Sequence, residues 1–81
     1  MLLHVQFYSH LRDLASSSAM EVELPDGSAV SELLEHIYME KPRLRALDKT
    51  ILVGVGVEFV DRAHRLQPGD EISIMPPVQG G

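Results

Sequence analysis

Only one stretch of this sequence has sustained helical periodicity, and it is flanked on both sides by residues of period two. Val30, Leu33, Leu34 and Ile37 recur at i, i+3, i+4 and i+7 and form one apolar stripe. Ser31, Glu32, Glu35 and His36 fall largely off it. A single amphipathic helix cannot bury its stripe alone, so it needs a sheet to cover. The alternating segments supply that sheet. Leu3, Val5 and Phe7 alternate with His4, Gln6 and Tyr8, which predicts a first strand over residues 2–8. Met20, Val22 and Leu24 alternate with Glu21 and Glu23 and predict a second strand. Its short connection to the first favours antiparallel pairing.

The remaining elements follow from local signals. Leu11, Leu14 and Ala15 predict a short helix over Ser9–Ala15, and Ser16-Ser17-Ser18 a polar loop. Pro25-Asp26-Gly27 marks a turn, and Ser28 is placed to cap the main helix. Pro42 is expected to end that helix, with a short turn beyond it anchored by Leu44 and Leu47. The β-branched run Ile51–Val57 predicts a largely buried strand whose glycines admit a close approach or a bulge. Phe59-Val60 reads as a short, edge-like strand and Gln67-Pro68-Gly69-Asp70 as a turn. Glu71–Met75 reads as a last strand stopped by Pro76-Pro77, neither of which can donate to a ladder. The order of elements predicts an α+β fold, a sheet of about five strands with one main helix on one face. It also divides the chain into a domain over residues 1–77 and a tail over residues 78–81.

A chain of 81 residues encloses a modest core and little room for a deep pocket, which favours a carrier, binding module or subunit over a self-sufficient enzyme. The formal charge of −5, from 12 acidic and 7 basic residues, argues against nucleic acid and anionic membranes as partners. It suits a basic protein partner, or solubility alone. Without cysteine there is no disulfide, thiolate metal site or thiol nucleophile. No leader-like segment or membrane-length apolar run is apparent, so a cytoplasmic location is expected. The histidines at 4, 10, 36 and 64 match no metal-binding spacing, and no metal site is expected. Asp26, Asp61 and Asp70 sit at turns for backbone reasons. Gly54-x-Gly56 lacks the third glycine and following helix of a dinucleotide site.

The chemistry-bearing candidate is the tail, Val78-Gln79-Gly80-Gly81. Two glycines without Cβ atoms pass through a slot too narrow for other residues. Pro76-Pro77 stiffens the approach and directs the tail away from the sheet. Ordering backbone costs roughly 1–2 kcal/mol per residue, so the free tail is expected to be flexible and to order inside a partner. A terminal Gly-Gly is by itself weak evidence, because small residues are common at chain ends. Strand alternation also predicts a docking face. If Leu3, Val5, Phe7, Ile72 and Ile74 face the helix, Gln6, Tyr8, Ser73 and Met75 face outward. Tyr8 and Met75, with Phe59, then form an exposed apolar patch near the tail, of the kind that marks a partner site. The alternative is a small satellite core under the Arg62–Leu66 loop.

Three segments together resemble a known family. Leu66-Gln67-Pro68-Gly69-Asp70-Glu71-Ile72, Pro76-Pro77-Val78-Gln79-Gly80-Gly81 and Val5-Gln6-Phe7-Tyr8-Ser9-His10-Leu11-Arg12-Asp13-Leu14 are similar to the small subunit of molybdopterin synthase, a ubiquitin-like β-grasp sulfur carrier. The resemblance spans the whole chain, and the ending is its most specific part. One departure is Gly54-Val55-Gly56-Val57, where the family usually carries an asparagine near Gly56.

The resemblance implies that a ubiquitin-activating-type enzyme, using ATP and Mg²⁺, adenylates the Gly81 carboxylate, which a sulfur donor converts to a thiocarboxylate. It implies a large synthase subunit, in a heterotetramer of two small and two large chains, that uses this sulfur on cyclic pyranopterin monophosphate. The main catalytic groups would lie on that subunit, and the carrier would bind no cofactor itself. Gly80, Gln79, Val78, Pro77, Pro76, Met75, Tyr8, Phe59 and Arg12 are the expected partner contacts; the match of Arg12 to a family arginine suggests that it neutralises a nearby carboxylate, the alternative being a solvated arginine. Other readings of the same tail are a thiamine-type sulfur carrier, a ubiquitin-like protein modifier, and a non-covalent interaction module.

Overall fold

The computed structural model describes residues 1–77. Among the described residues there are eight elements. They are β1 (Leu2–Phe7), α1 (Leu11–Ala15), β2 (Ala19–Glu23), α2 (Val30–Glu40), a 3-10 segment (Pro42–Leu47), β3 (Leu52–Val55), β4 (Glu58–Val60) and β5 (Glu71–Met75). The strands make one mixed sheet in the order β2-β1-β5-β3-β4. β1 and β5 lie parallel at its centre, and the other neighbours are antiparallel. This is the β-grasp topology, in which first and last strands are paired and a helix covers one face.

Alternation along the strands decides which face is covered. Leu3, Val5, Phe7, Val22, Val53, Ile72 and Ile74 are buried and share one core with Val30, Leu33, Leu34, Ile37 and Tyr38 of α2. The predicted helical stripe is therefore the inner surface of α2. Leu11, Leu44 and Leu66 close the core from the flanking segments, each with no exposed surface. Since Leu66 belongs to the main core, the Arg62–Leu66 loop does not cover a separate apolar cluster.

Several local expectations are corrected. Ser28 does not cap α2. Its hydroxyl donates to the Pro25 carbonyl at 2.7 Å, closing the preceding turn. The helix starts after Ala29, whose N–H donates to Glu32 Oε1 at 3.4 Å. The next two N–H groups, of Val30 and Ser31, donate to the carbonyls of His64 and Arg62, each at 3.0 Å. A distant loop thus satisfies donors that a cap residue would otherwise take.

The predicted strand over Ile51–Val57 is shorter than expected. β3 ends at Val55, Gly56 turns with φ +60°, and Val57 projects fully into solvent. A β-branched residue at the hairpin tip made the run look continuous. The short helix begins at Leu11 rather than Ser9, because Ser9 takes a left-handed conformation, φ 56°. Pro42 acts as expected: α2 ends at Glu40, Lys41 is non-helical, and Pro42 opens the 3-10 segment.

Opposite the sheet centre, one polar cluster ties the helical layer together. The Tyr38 hydroxyl donates to Asp48 Oδ1, and Arg62 Nη2 donates to the carbonyls of Asp48 (2.6 Å) and Ile51 (3.0 Å). Burial, followed by the hydrogen bond to Asp48, pushes the Tyr38 phenol well above its ordinary value, so it stays a donor. Arg45 covers the Tyr38 ring at 5.2 Å and donates to Glu35 through its two terminal nitrogens, Nη2 at 3.1 Å and Nη1 at 3.3 Å.

Candidate functional site

The sheet topology decides what surrounds the start of the tail. β5 runs parallel to β1 and antiparallel to β3, so Met75 ends beside the residues leaving β1 and those entering β3. Tyr8 N–H donates to the Ile74 carbonyl at 3.1 Å, and Met75 is in register with Leu52. Pro76-Pro77 therefore leaves from the middle of the sheet's end, not from an edge. A cleft of about 350 Å³ lies at this exit, lined by Ser9, His10, Leu11, Leu47, Thr50, Ile51 and both prolines. The alternation argument did not find it, because it depends on the parallel β1–β5 pairing.

The face away from α2 is open. One row of paired residues crosses it completely: Ala19, Gln6, Ser73, Gly54 and Phe59. The three central members are polar or small, so the floor is shallow, and larger side chains rise around it. Tyr8 is 42% exposed and Phe59 65% exposed. Together with Gly54, Val57, Ser73 and Met75 they border a groove of about 290 Å³. The outward patch expected from alternation is thus assembled, with Tyr8, Phe59 and Met75 in one place.

Gly54 makes this groove possible. A Cβ built on it would meet Met75 Cε at 3.2 Å and the Glu58 carbonyl at 3.5 Å. The bare backbone lets the Met75 thioether lie down along β3, where a flexible apolar chain can adapt to a partner. The Tyr8 hydroxyl donates to Gln6 Oε1 at 2.9 Å.

A second hollow of about 420 Å³ adjoins the first across Tyr8, Gly56 and Ser73, and adds His4, Gln6 and Glu71. Here the lining is polar. His4 Nδ1 stands 3.1 Å from Glu21 Oε2, and both side chains are more than half exposed.

Arg12 does not neutralise a carboxylate among the described residues. Its Nε donates to the Ser9 carbonyl at 3.4 Å, and none of the ion pairs found among those residues includes it. The guanidinium stays on the short helix α1, in the segment that follows β1. Val78, Gln79, Gly80 and Gly81, with the expectation of a flexible tail, lie outside the described residues. Among the described residues no three His, Asp or Glu side chains gather as a metal site, and no helix is long and apolar enough to cross a membrane.

A model of the ThiS family matches residues 5–81. The chain belongs to the ThiS family. The molybdopterin synthase sulfur carrier subunit of Escherichia coli (strain K12), a curated relative, is 33% identical, over 99% of this chain and 100% of its own. Among solved structures, a putative molybdopterin converting factor subunit 1 from Pyrococcus furiosus superposes with a TM-score of 0.87 at 26% identity, covering 96% of this chain and 99% of that one. A chain in the complex of subunits 1 and 2 of the molybdopterin-converting factor from Helicobacter pylori superposes at 0.71, with 24% identity over the whole of both chains, a likeness of fold. For this ThiS-family chain the ubiquitin-like β-grasp assignment and the resemblance to the small synthase subunit both hold.

Proposed function

We propose that this chain is the sulfur carrier subunit of a molybdopterin synthase and that Gly81 carries the sulfur. The single observation supporting this most is the full-length relation to a molybdopterin synthase sulfur carrier subunit, on a fold whose central strand β5 is followed by Pro76-Pro77. An activating enzyme, with ATP and Mg²⁺, joins the Gly81 carboxylate to AMP and releases pyrophosphate. A carboxylate is a poor electrophile, and adenylation gives it a leaving group. A donor that delivers sulfur at the sulfide level, as HS⁻, then attacks the acyl carbon; the C–O bond to AMP breaks, AMP leaves with that oxygen, a proton is released, and a thiocarboxylate remains. This group is largely anionic at neutral pH, so its sulfur is nucleophilic without an adjacent base, by the same reasoning that applies to a thiolate. The tail enters the active site of the large subunit, where the sulfur is given to cyclic pyranopterin monophosphate. General acids and cationic stabilisers come from that subunit, in an assembly of two small and two large chains.

In this reading the groove at Tyr8, Phe59 and Met75 docks the large subunit, the two prolines, Val78, Gln79 and Gly80 lead Gly81 into it, and Arg12 on α1 is a further contact. The absence of cysteine is no obstacle, because the sulfur replaces a carboxylate oxygen. The test is reconstitution of molybdopterin synthesis from purified carrier, activating enzyme, sulfur source and large subunit. Wild-type carrier is expected to support product formation. A carrier with one alanine added after Gly81 is expected to support none, since the carboxyl group is displaced from the activation site. Equal activity of the two would refute the assignment, and substrate-protein conjugates in place of product would favour the modifier reading.

A further inference from the structure

The polar hollow beside the apolar groove carries a charge pattern that the docking reading does not use. None of the five strands contains a lysine or arginine. All seven basic residues of the chain lie on the helices and loops. The open face of the sheet carries Glu21, Glu23 and Glu71 in its alternating outward positions. Its only basic group, His4, is in register with Glu21 on one side and Glu71 on the other. His4 Nδ1 engages Glu21 at 3.1 Å. The Glu71 carboxylate joins none of the ion pairs found among the described residues and faces the hollow.

We propose that this hollow is a socket for an arginine side chain of the protein that docks on the open face. Several observations favour that occupant. Glu71 offers a planar two-oxygen acceptor, the group that a guanidinium matches with two parallel hydrogen bonds. Tyr8 borders the hollow, with its hydroxyl donating to Gln6, so an aromatic ring is available there for a cation to stack on. Ser73 adds a small polar wall, and Gly56 keeps the mouth open. The volume, about 420 Å³, admits a guanidinium together with its alkyl stem. The socket shares Tyr8, Gly56 and Ser73 with the apolar groove, so one partner surface covers both. Apolar burial then supplies affinity, while the charged pair sets the register and speeds encounter. The inference rests on the docking role proposed for the groove.

The test measures affinity of the whole carrier for the large synthase subunit, at low and at raised salt, with three variants. Glu71→Gln keeps the shape and removes the charge. It is expected to weaken binding about ten-fold or more and to flatten the salt dependence. Glu71→Arg places like charges together and is expected to weaken binding further. Glu40→Gln, at the exposed end of α2, removes a charge remote from the sheet face and is expected to leave affinity and salt dependence unchanged. Phe59→Ala reads the docking role separately. If Phe59→Ala weakens binding while Glu71→Gln does not, the socket is refuted and the docking face stands. If neither does, both are refuted. An equal effect of Glu40→Gln and Glu71→Gln reduces the contribution to net charge and also refutes the socket.

Discussion

At the residue scale, the candidate site depends on one missing side chain, Gly54, two large exposed ones, Tyr8 and Phe59, and the half-buried Met75. Gly54 leaves the groove floor open, and Met75 lies across the space a Cβ would occupy. Phe59 borders the groove from a three-residue edge strand, is 65% exposed and takes no part in the core, and in the proposed function its ring is a partner contact. Replacing Phe59 with alanine is expected to change folding stability by no more than about 0.5 kcal/mol, as for other exposed positions. The same substitution is expected to reduce affinity for the large subunit about ten-fold, the scale of an interface anchor. Thermal melts and titration calorimetry on one preparation separate the two. These residues were legible in the sequence because strand alternation gives the face of Tyr8 and Met75. The polar socket was not, since Glu71 and His4 become neighbours only through the parallel pairing of β1 with β5.

At the element scale, α2 owes both its ends to other segments. Its first donors are met by loop carbonyls at residues 62 and 64, and its last turn by the bond from Tyr38 to Asp48. Ser28 looked like a cap because its type and position suited one, yet its hydroxyl closes the Pro25 turn instead. No local signal announces that a loop more than thirty residues later will do the capping, and that distance is why the sequence reading failed there. The Tyr38 bond has a pH signature. The folded-state phenol titrates above the unfolded value of 10.0, so its stabilisation is complete below that pH. As pH rises past the unfolded value, the unfolded chain loses its proton first and stability falls. Tyr38→Phe is expected to cost about 1 kcal/mol near neutrality. Above pH 10.0 its stability should decline less steeply than that of the wild type, because the differential titration is gone. Denaturant melts across neutral and alkaline pH check both; parallel curves would contradict the assignment.

At the scale of the whole molecule, charge and shape are divided between two faces. The helical layer holds the core, the Tyr38–Asp48–Arg62 cluster and most of the basic residues. The bare sheet face holds the apolar groove and the polar socket, and Pro76-Pro77 leave the sheet at the end of its central strand β5. Local periodicity was enough for the helix-on-sheet class, since the stripe of α2 and the alternation of β1, β2 and β5 demand each other. The parallel centre of the sheet was not readable from alternation and came only with the resemblance to the ubiquitin-like carriers. The hairpin after β3 was misread because Val57 sits at its tip. The proposed sulfur chemistry rests, in the sequence, chiefly on the ending, where two prolines and two glycines follow the central strand. The most direct measurement of that claim is the intact mass of the protein after incubation with its activating enzyme, ATP, Mg²⁺ and a sulfur source. A mass gain equal to the exchange of one oxygen for one sulfur, mapped to Gly81, is the predicted result. An unchanged mass, alongside a known carrier that becomes loaded under the same conditions, would contradict it.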